Sequence, residues 1–544
     1  MTPNSGAVVY SFITKLDPAG SGIVYSTILG GSSNTRGYAI QVDGQGNAFV
    51  AGVTGARDFP MVNPVQAQQP GLNIGYVAKL NPAGSALLFS TYLGGERNDE
   101  IRALALDATG NIHVAGSATS TQIAMTNALQ PTFGGNTDIL LAKYAAPDYR
   151  LVYSTYLGKT GLESAYGVTT DAGGSTYVTG VARGETLATD GAFQNKVNGG
   201  NDAFLAKVDP LGRNVVFFTY FGANGDEQAR GITLDREGSI WIAGSTTSTA
   251  FGTTPTAVQK SLNGDSDAFA VKFHYLGGDV LYSTLLGGST TRTAVLEEAY
   301  AIRTDPRGAV YIAGVTNSSD FLAVRPLQSY GGGVTDGFLT KLSPLADVIE
   351  YSTVIGGAAD DFVQALAVDA WGGAFLGGRT ESPGFPLKNP IRSTFGGSDE
   401  GLLMKVCDPS ISVSDPAILL TYHVGDPFPL EKPVTVSACA PIPFTATVTG
   451  AWLRSSSGSG TTNQTLTLFA DPTGLAQGDY AGKLVITALD ATNSPVEIPV
   501  RLVVAPPRPA ISAAGVVNAA SGRGGSVTPG EIVTLFGANL GRTS

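Results

Sequence analysis

Apolar and polar residues alternate over short runs through the first three quarters of the chain. The stretch 75–116, GYVAKLNPAGSALLFSTYLGGERNDEIRALALDATGNIHVAG, shows four of them: YVAKL, LLFSTYL, IRALAL and IHVAG. The period is two, aromatic and β-branched residues are abundant, and Gly, Asn, Asp and Pro mark the breaks. This pattern predicts half-buried strands and not helices.

The four runs recur. The lysine of the AKL run returns as Lys15, Lys79, Lys143, Lys207, Lys272, Lys341 and Lys405, at intervals of 64, 64, 64, 65, 69 and 64 residues. The glycine that closes the VAG run returns as Gly52, Gly116, Gly180, Gly244, Gly314 and Gly378. Four strands per unit of this length, repeated, predict an all-β chain built on a β-propeller of four-stranded blades. There are six complete repeats and a partial one. The N-terminal hairpin either opens a seventh blade or completes the last of six.

Each recurring position has a physical reading. Asp-x-x-Gly separates the IRALAL-type and IHVAG-type runs in all six copies, from Asp43/Gly46 to Asp369/Gly372. The Asp accepts backbone N–H groups within a hairpin turn and the Gly takes positive φ; one carboxylate per turn is too few for calcium. Four residues before this Asp the residue is always small (Ala39, Ala103, Gly167, Gly231, Ala301, Ala365), as crowded innermost strands require. The lysines are expected to lay an apolar stem along the strand and to reach a carboxylate or water.

These columns resemble the seven-bladed β-propeller repeat family of bacterial surface and secreted proteins. The matching features are the YSTYLGG run, the Asp-x-x-Gly-Asn turn at Asp43–Asn47 and Asp107–Asn111, the VAG end and the following Asp58–Pro60. The resemblance covers about residues 7–406 and implies an exported propeller scaffold, with no catalytic residues to carry over.

Past residue 406 the period breaks. The expected domains are the propeller at 1–406, an immunoglobulin-like β-sandwich at 407–505, and a linker with the truncated start of a further immunoglobulin-like module at 506–544. The sandwich is predicted by strand-like runs such as PVTVSAC, QTLTLFA and VEIPVRLVV at sandwich spacing. Trp452-Leu453 and TLTLFADPTGLAQGDYAGKLVITA resemble the BACON-type domain, a family linked with carbohydrate or mucin binding. Under that resemblance Trp452 is a sugar-stacking candidate; against it stands the ordinary fate of a tryptophan, burial in a core. Cys407 and Cys439 are the only cysteines. Their spacing permits a disulfide without demanding one.

Composition narrows the function. The chain has 544 residues, 14% charged, 71 Gly and a formal net charge of −11. Without a basic run, nucleic acid is not an expected partner. No apolar run is long enough to cross a bilayer. Residues 1–5 do not read as a signal peptide, whereas the resemblance implies export to the cell surface or medium; a chain truncated at both ends would reconcile the two. GxSxG, HExxH and phosphate-loop motifs are absent.

One column carries candidate chemistry. Eight residues before the turn Asp stand Thr35, Asp99, Glu163, Glu227, Glu297 and Asp361, five of the six acidic. They are expected to ring the mouth of the central channel, either capping backbone N–H groups or binding a polyol or cation. No cofactor is otherwise called for, but Ca²⁺ at Asp99, Glu227 and Asp361 would relieve the repulsion of gathered carboxylates. The expectation is a monomeric, non-enzymatic binding or adhesion protein whose partner is a glycan or a surface protein. The alternatives are a glycan-active enzyme using these carboxylates and a purely structural stalk unit.

Overall fold

A computed structural model describes residues 8–184, 187–289, 297–328, 330–508, 510–518 and 533–538. The described residues divide into two compact units, one running to Val368 and over Ala374–Lys405, and one holding Asp369–Gly373 and the chain from Val406 on.

The first unit is the propeller. It holds five four-stranded antiparallel sheets, one three-stranded sheet and one two-stranded sheet. A complete blade runs Thr35–Val42, Ala48–Thr54, Ile74–Leu80 and Leu87–Leu93, each strand paired with the next. The inner strands of the six repeats are Thr35–Val42, Asp99–Leu106, Leu162–Thr170, Glu227–Leu234, Glu298–Thr304 and Asp361–Val368. Second strands such as Ile240–Thr246 and third strands such as Asp267–Phe273 are almost wholly buried between neighbouring blades.

The Asp-x-x-Gly turns form as the local chemistry dictates. Asp43 Oδ1 accepts from the backbone N–H groups of Gln45 and Asn47, at 3.0 and 2.9 Å. Gly46 has a φ of 83°, a left-handed conformation in which a side chain is strained.

The N-terminal hairpin, Ser11–Leu16 with Ile23–Leu29, forms a sheet of its own. It does not complete the last repeat, whose third strand Glu400–Val406 already pairs beside Ala374–Thr380. Instead Tyr25 lies against Gly84, as Tyr153 lies against Gly212 and Phe217 against Gly277 in later repeats. The hairpin is therefore the outer half of a blade standing before the first complete one. Beside this hairpin the first complete inner strand is more open than the later ones. Ile40 is 53% exposed, while Leu104, Ile232, Ile302 and Leu366 in the same column are at most 4% exposed.

The second unit packs a four-stranded sheet on a five-stranded one. Leu430–Ser437 and Gln464–Ala470 lie central in the first, and Val496–Ala505 and Gly478–Thr487 in the second. Val434, Val436, Leu466, Leu468, Leu484, Ile486, Ile498 and Leu502 fill the space between them, the inward-facing alternation of a sandwich. Cys407 and Cys439 are bonded, with Cα atoms 5.6 Å apart. Beyond the sandwich, Ala510–Asn518 pairs antiparallel with Val533–Ala538; the remainder of the expected further module lies outside the described residues.

Candidate functional site

The acidic column sits at the joints between blades. Asp99, Glu227 and Asp361 open their inner strands, Glu163 is the second residue of its own, and Glu297 directly precedes Glu298–Thr304. All five are at most 1% exposed, so they do not stand open at a channel mouth. Each turns back under the LGG-type corner that ends the preceding blade. Asp99 Oδ2 accepts from Gly95 N at 2.7 Å and Ser120 Oγ at 2.6 Å, while Oδ1 accepts from Thr119 N and Ser120 N. Glu227 Oε2 accepts from Ala223 N at 2.8 Å, and Oε1 from the hydroxyls of Thr246 and Ser248. Glu163 receives Lys159 N, Glu297 receives Gly288 N, and Asp361 receives Gly357 N. The carboxylates tie one blade's corner to the next blade's first two strands, the capping role. None can touch a substrate unless a joint opens.

A second acidic column, absent from the sequence expectations, faces the first. It is the opening residue of the third strand: Asp138, Asp202, Asp267 and Asp336, all completely buried. The signal was in the chain, an Asp five residues before the lysine in four copies. A glutamine from the long loop reaches it: Gln130 Nε2 to Asp138 Oδ2 at 3.0 Å, Gln259 Nε2 to Asp267 Oδ2 at 2.6 Å, and Gln194 to Asp202 likewise. In Asp138, Asp202 and Asp267 the other oxygen, Oδ1, has no hydrogen-bond partner. The two columns meet at the corner glycine. A methyl group on Gly222 would strike both Asp202 and Glu227, and one on Gly287 would strike both Asp267 and Glu297. Burial pushes the Asp202 carboxyl up to about 6, helped by the charges of Glu227 and Asp226. Burial raises Glu227 as well, against the hydrogen bonds from Ser248 and Thr246.

The lysine column is structural. Lys207 Nζ lies 3.1 Å from Asp171 of the turn in its own blade and 4.7 Å from the Tyr177 ring centroid. Lys272 repeats the arrangement with Asp235 at 2.8 Å and Trp241 at 5.5 Å. Lys207→Met is expected to lower stability by about 1 kcal/mol, the worth of a partly exposed ion pair plus a cation–π contact; urea unfolding measures it. A loss several times larger would mean that the ammonium does more than brace the turn.

In the second repeat His113 takes the aromatic's place. Its Nδ1 is 2.8 Å from Thr176 Oγ1 and its Nε2 is 3.1 Å from Asp107 Oδ2. A hydroxyl, an imidazole and a carboxylate in series invite a triad reading. The hydroxyl is buried, however, and also bonds the Tyr153 hydroxyl at 2.8 Å. Burial holds His113 below the ordinary imidazole value, against the pull of Asp107. The set is a packed structural network.

The inner strands carry one further feature. Each has a bulge, and the residue skipped in its register is Tyr38, Arg102, Tyr166, Arg230, Tyr300 or Gln364. Arg102 stands 5.1 and 5.5 Å from the rings of Tyr38 and Tyr166, and Arg230 stands 5.0 and 5.1 Å from those of Tyr166 and Tyr300. Glu100 holds Arg102 at 2.6 Å, and Glu298 holds Arg230. Inner strands of successive blades meet around the propeller axis, so this Tyr–Arg ladder lines the central channel. The alternation was legible five residues before each turn Asp, but its meaning needed the bulge.

In the sandwich, Trp452 is 7% exposed and belongs to the core. Its ring packs over Gly450 and Gly482, where any side chain would crowd it. It therefore offers no open face for sugar stacking, which corrects the platform expectation. Among the described residues no group of three or more His, Cys, Asp or Glu could hold a metal ion, and no helix is long and apolar enough to cross a membrane.

Comparison with known proteins is informative for the repeat. No curated protein sequence matches. A Dyadobacter fermentans protein of unknown function is similar at 10% identity and TM-score 0.33, over 64% of this chain and 91% of that one. A polysaccharide lyase, an ulvan lyase, is similar at 11% identity and TM-score 0.33, over 71% and 86%. A Bacteroides ovatus GH5 xyloglucanase is similar at 11% identity and TM-score 0.15; this chain spans only 19% of its length, with 18% of its own residues. At such scores these likenesses carry no argument about function. The model of the beta-propeller repeat, by contrast, matches residues 24–60, 88–123 and 216–252, so the chain carries that repeat at three of its recurring units.

Proposed function

We propose that the protein is an exported, non-enzymatic binding protein, a propeller whose long-loop face recognises a glycan or a glycosylated surface protein. The sandwich, with its BACON-like pattern, serves as spacer or accessory module.

The observation that carries this reading is how the long loops between second and third strands are held. Their glutamines are pinned alike: Gln66 N, Gln130 N, Gln194 N and Gln259 N each bond the threonine hydroxyl of the fourth strand, at 2.9 to 3.1 Å. The same side chains receive the corner N–H groups of Gly94, Gly158, Gly222 and Gly287. Between these pins the loop sequences differ from repeat to repeat. A rigid frame presenting varied loops suits recognition. The reactive residue types, in turn, are buried in the joints described above, where they would brace the frame.

The test is a glycan-array and mucin binding screen of the whole chain, beside a variant with Leu72→Ser and Leu327→Ser. Both leucines are exposed on these loops. Binding by the parent and a loss of about tenfold or more in the variant, at unchanged melting temperature, is the expected result. Silence of the parent on every glycan and mucin would remove the carbohydrate reading.

A further inference from the structure

We propose that the facing carboxyl groups at the blade joints share one proton per pair, so that the joints are latches closed by protonation and loosened as the pair becomes doubly charged. The best-defined pairs are Asp202 with Glu227 and Asp267 with Glu297.

Three observations lead there. First, the hydrogen-bond inventory is short by one donor. Asp202 Oδ2 accepts from Gln194 and from Asn198 N at 2.9 Å, and both Glu227 oxygens are engaged. Asp202 Oδ1 has no donor although it is completely buried. An unpaired charged oxygen in such a place is costly. A proton on Asp202 Oδ1, donated to Glu227 Oε2, supplies the missing bond and removes one of two like charges. Second, the corner glycine brings the pair together: both acids occupy the space that a methyl group on Gly222 would need, and the same holds at Gly287. Two carboxylates that close do not both ionise readily. Third, the chain contains its own comparison. In the first repeat the third-strand acid is replaced by Ile74, which packs with Asp99 at Gly94. There the lone acid collects four donors, from Gly95, Thr119 and Ser120, and no oxygen is left over.

The surroundings favour retention of the proton. The charge of Asp226, whose Oδ1 accepts from Asn201 N and Nδ2, raises both partners. The loop contributes the Gln194 amide and Asn198 N–H, the corner contributes Ala223 N–H, and the second strand and its exit contribute the Thr246 and Ser248 hydroxyls. Facing Glu297 is Asp320, another acid. Asp226 and Asp320 thus both work against a second negative charge on the pairs they face. Release of the proton takes a pair from one negative charge to two, with the proton passing to solvent.

The sign follows from linkage. Acids whose pKa is raised on folding bind protons more tightly in the folded state, so their stabilisation is present at low pH and is lost as pH rises through the folded pKa. For Asp202 the window runs from its ordinary 3.8 to about 6, and for Asp267 to about 8.

The experiment is thermal and urea unfolding of the whole chain between about pH 5.5 and 8.5 in EDTA, for the parent, Asp202→Asn, Asp267→Asn and Ile74→Asp. The parent should lose stability as pH rises. Each Asn variant should flatten that slope, by about fourfold in folding equilibrium constant for Asp202 and at least about tenfold for Asp267. His113 titrates in the opposite sense, but it is common to all variants and cancels in the difference. Ile74→Asp installs the missing partner of Asp99 and should steepen the slope, a result that simple damage to the joint would not produce. Unchanged slopes in both Asn variants would overturn the proposal. So would a melting temperature that rises with added Ca²⁺ in the parent and not in the Asn variants, because the pairs would then be cation sites.

Discussion

Gly378→Ala should destabilise the propeller by about 4 kcal/mol or more, while Gly377→Ala, one residue away, should change stability by no more than about 0.5 kcal/mol. Urea unfolding of the two variants, side by side, checks both. The contrast comes from the bulge. In each repeat the inner strand's register slips opposite the closing glycine of the second strand, between Val363 and Ala365 in this case. The slip drives the Phe362 carbonyl into the space where a Cβ on Gly378 would stand. The same collision recurs at Gly52 with Arg36 O, at Gly116 with Glu100 O, and at Gly244 with Gln228 O. The obstacle is backbone and cannot rotate away, so the variant must break the ladder or shift the strand. A methyl group on Gly377 meets nothing closer than the Ala365 Cβ at 3.6 Å, an ordinary contact. Equal tolerance of both substitutions would mean that the bulge is not held as described.

Trp452→Ala should cost about 3–5 kcal/mol, the range for emptying a core of a large aromatic ring, and should lower the unfolding transition of the sandwich. The tryptophan is buried among residues of both sheets, including Leu453, Leu466 and Leu484, and its backbone carbonyl accepts from Asp471 N at 2.8 Å. An open stacking platform would behave in the opposite way, losing sugar affinity at unchanged stability. The difference in tryptophan emission between parent and variant isolates Trp452 from Trp241 and Trp371 and would separate the two, since a buried indole shifts to the red only as the sandwich unfolds. An unshifted melting transition in the variant would return Trp452 to the list of candidate binding residues.

Much of the propeller was legible because its elements are local. Alternation within YVAKL or IHVAG is enough to specify a strand, and Asp107 with Gly110 is enough to specify its turn, since the backbone donors that Asp107 Oδ1 accepts lie two and four residues on. The lysine stem likewise finds its carboxylate in its own blade, as Lys272 finds Asp235. The acidic column was legible as a column but not in its placement. Its residues head strands that lead toward the axis, and the sequence pattern alone does not say that the side chains fold back beneath the preceding corner. The paired third-strand Asp column was overlooked because each member reads locally as an ordinary loop-to-strand boundary.

What the sequence determined by itself was therefore the repeat: strands, turns, period and the all-β class, each resting on interactions between near neighbours. The tertiary structure alone decided what meets across repeats. Arg102 finds Tyr38 on one side and Tyr166 on the other, and Asp202 meets Glu227, only because blades pack face against face and a bulge rotates one residue out of each inner strand. Those meetings depend on burial and on like charges brought together out of water, and neither quantity exists until the blades assemble.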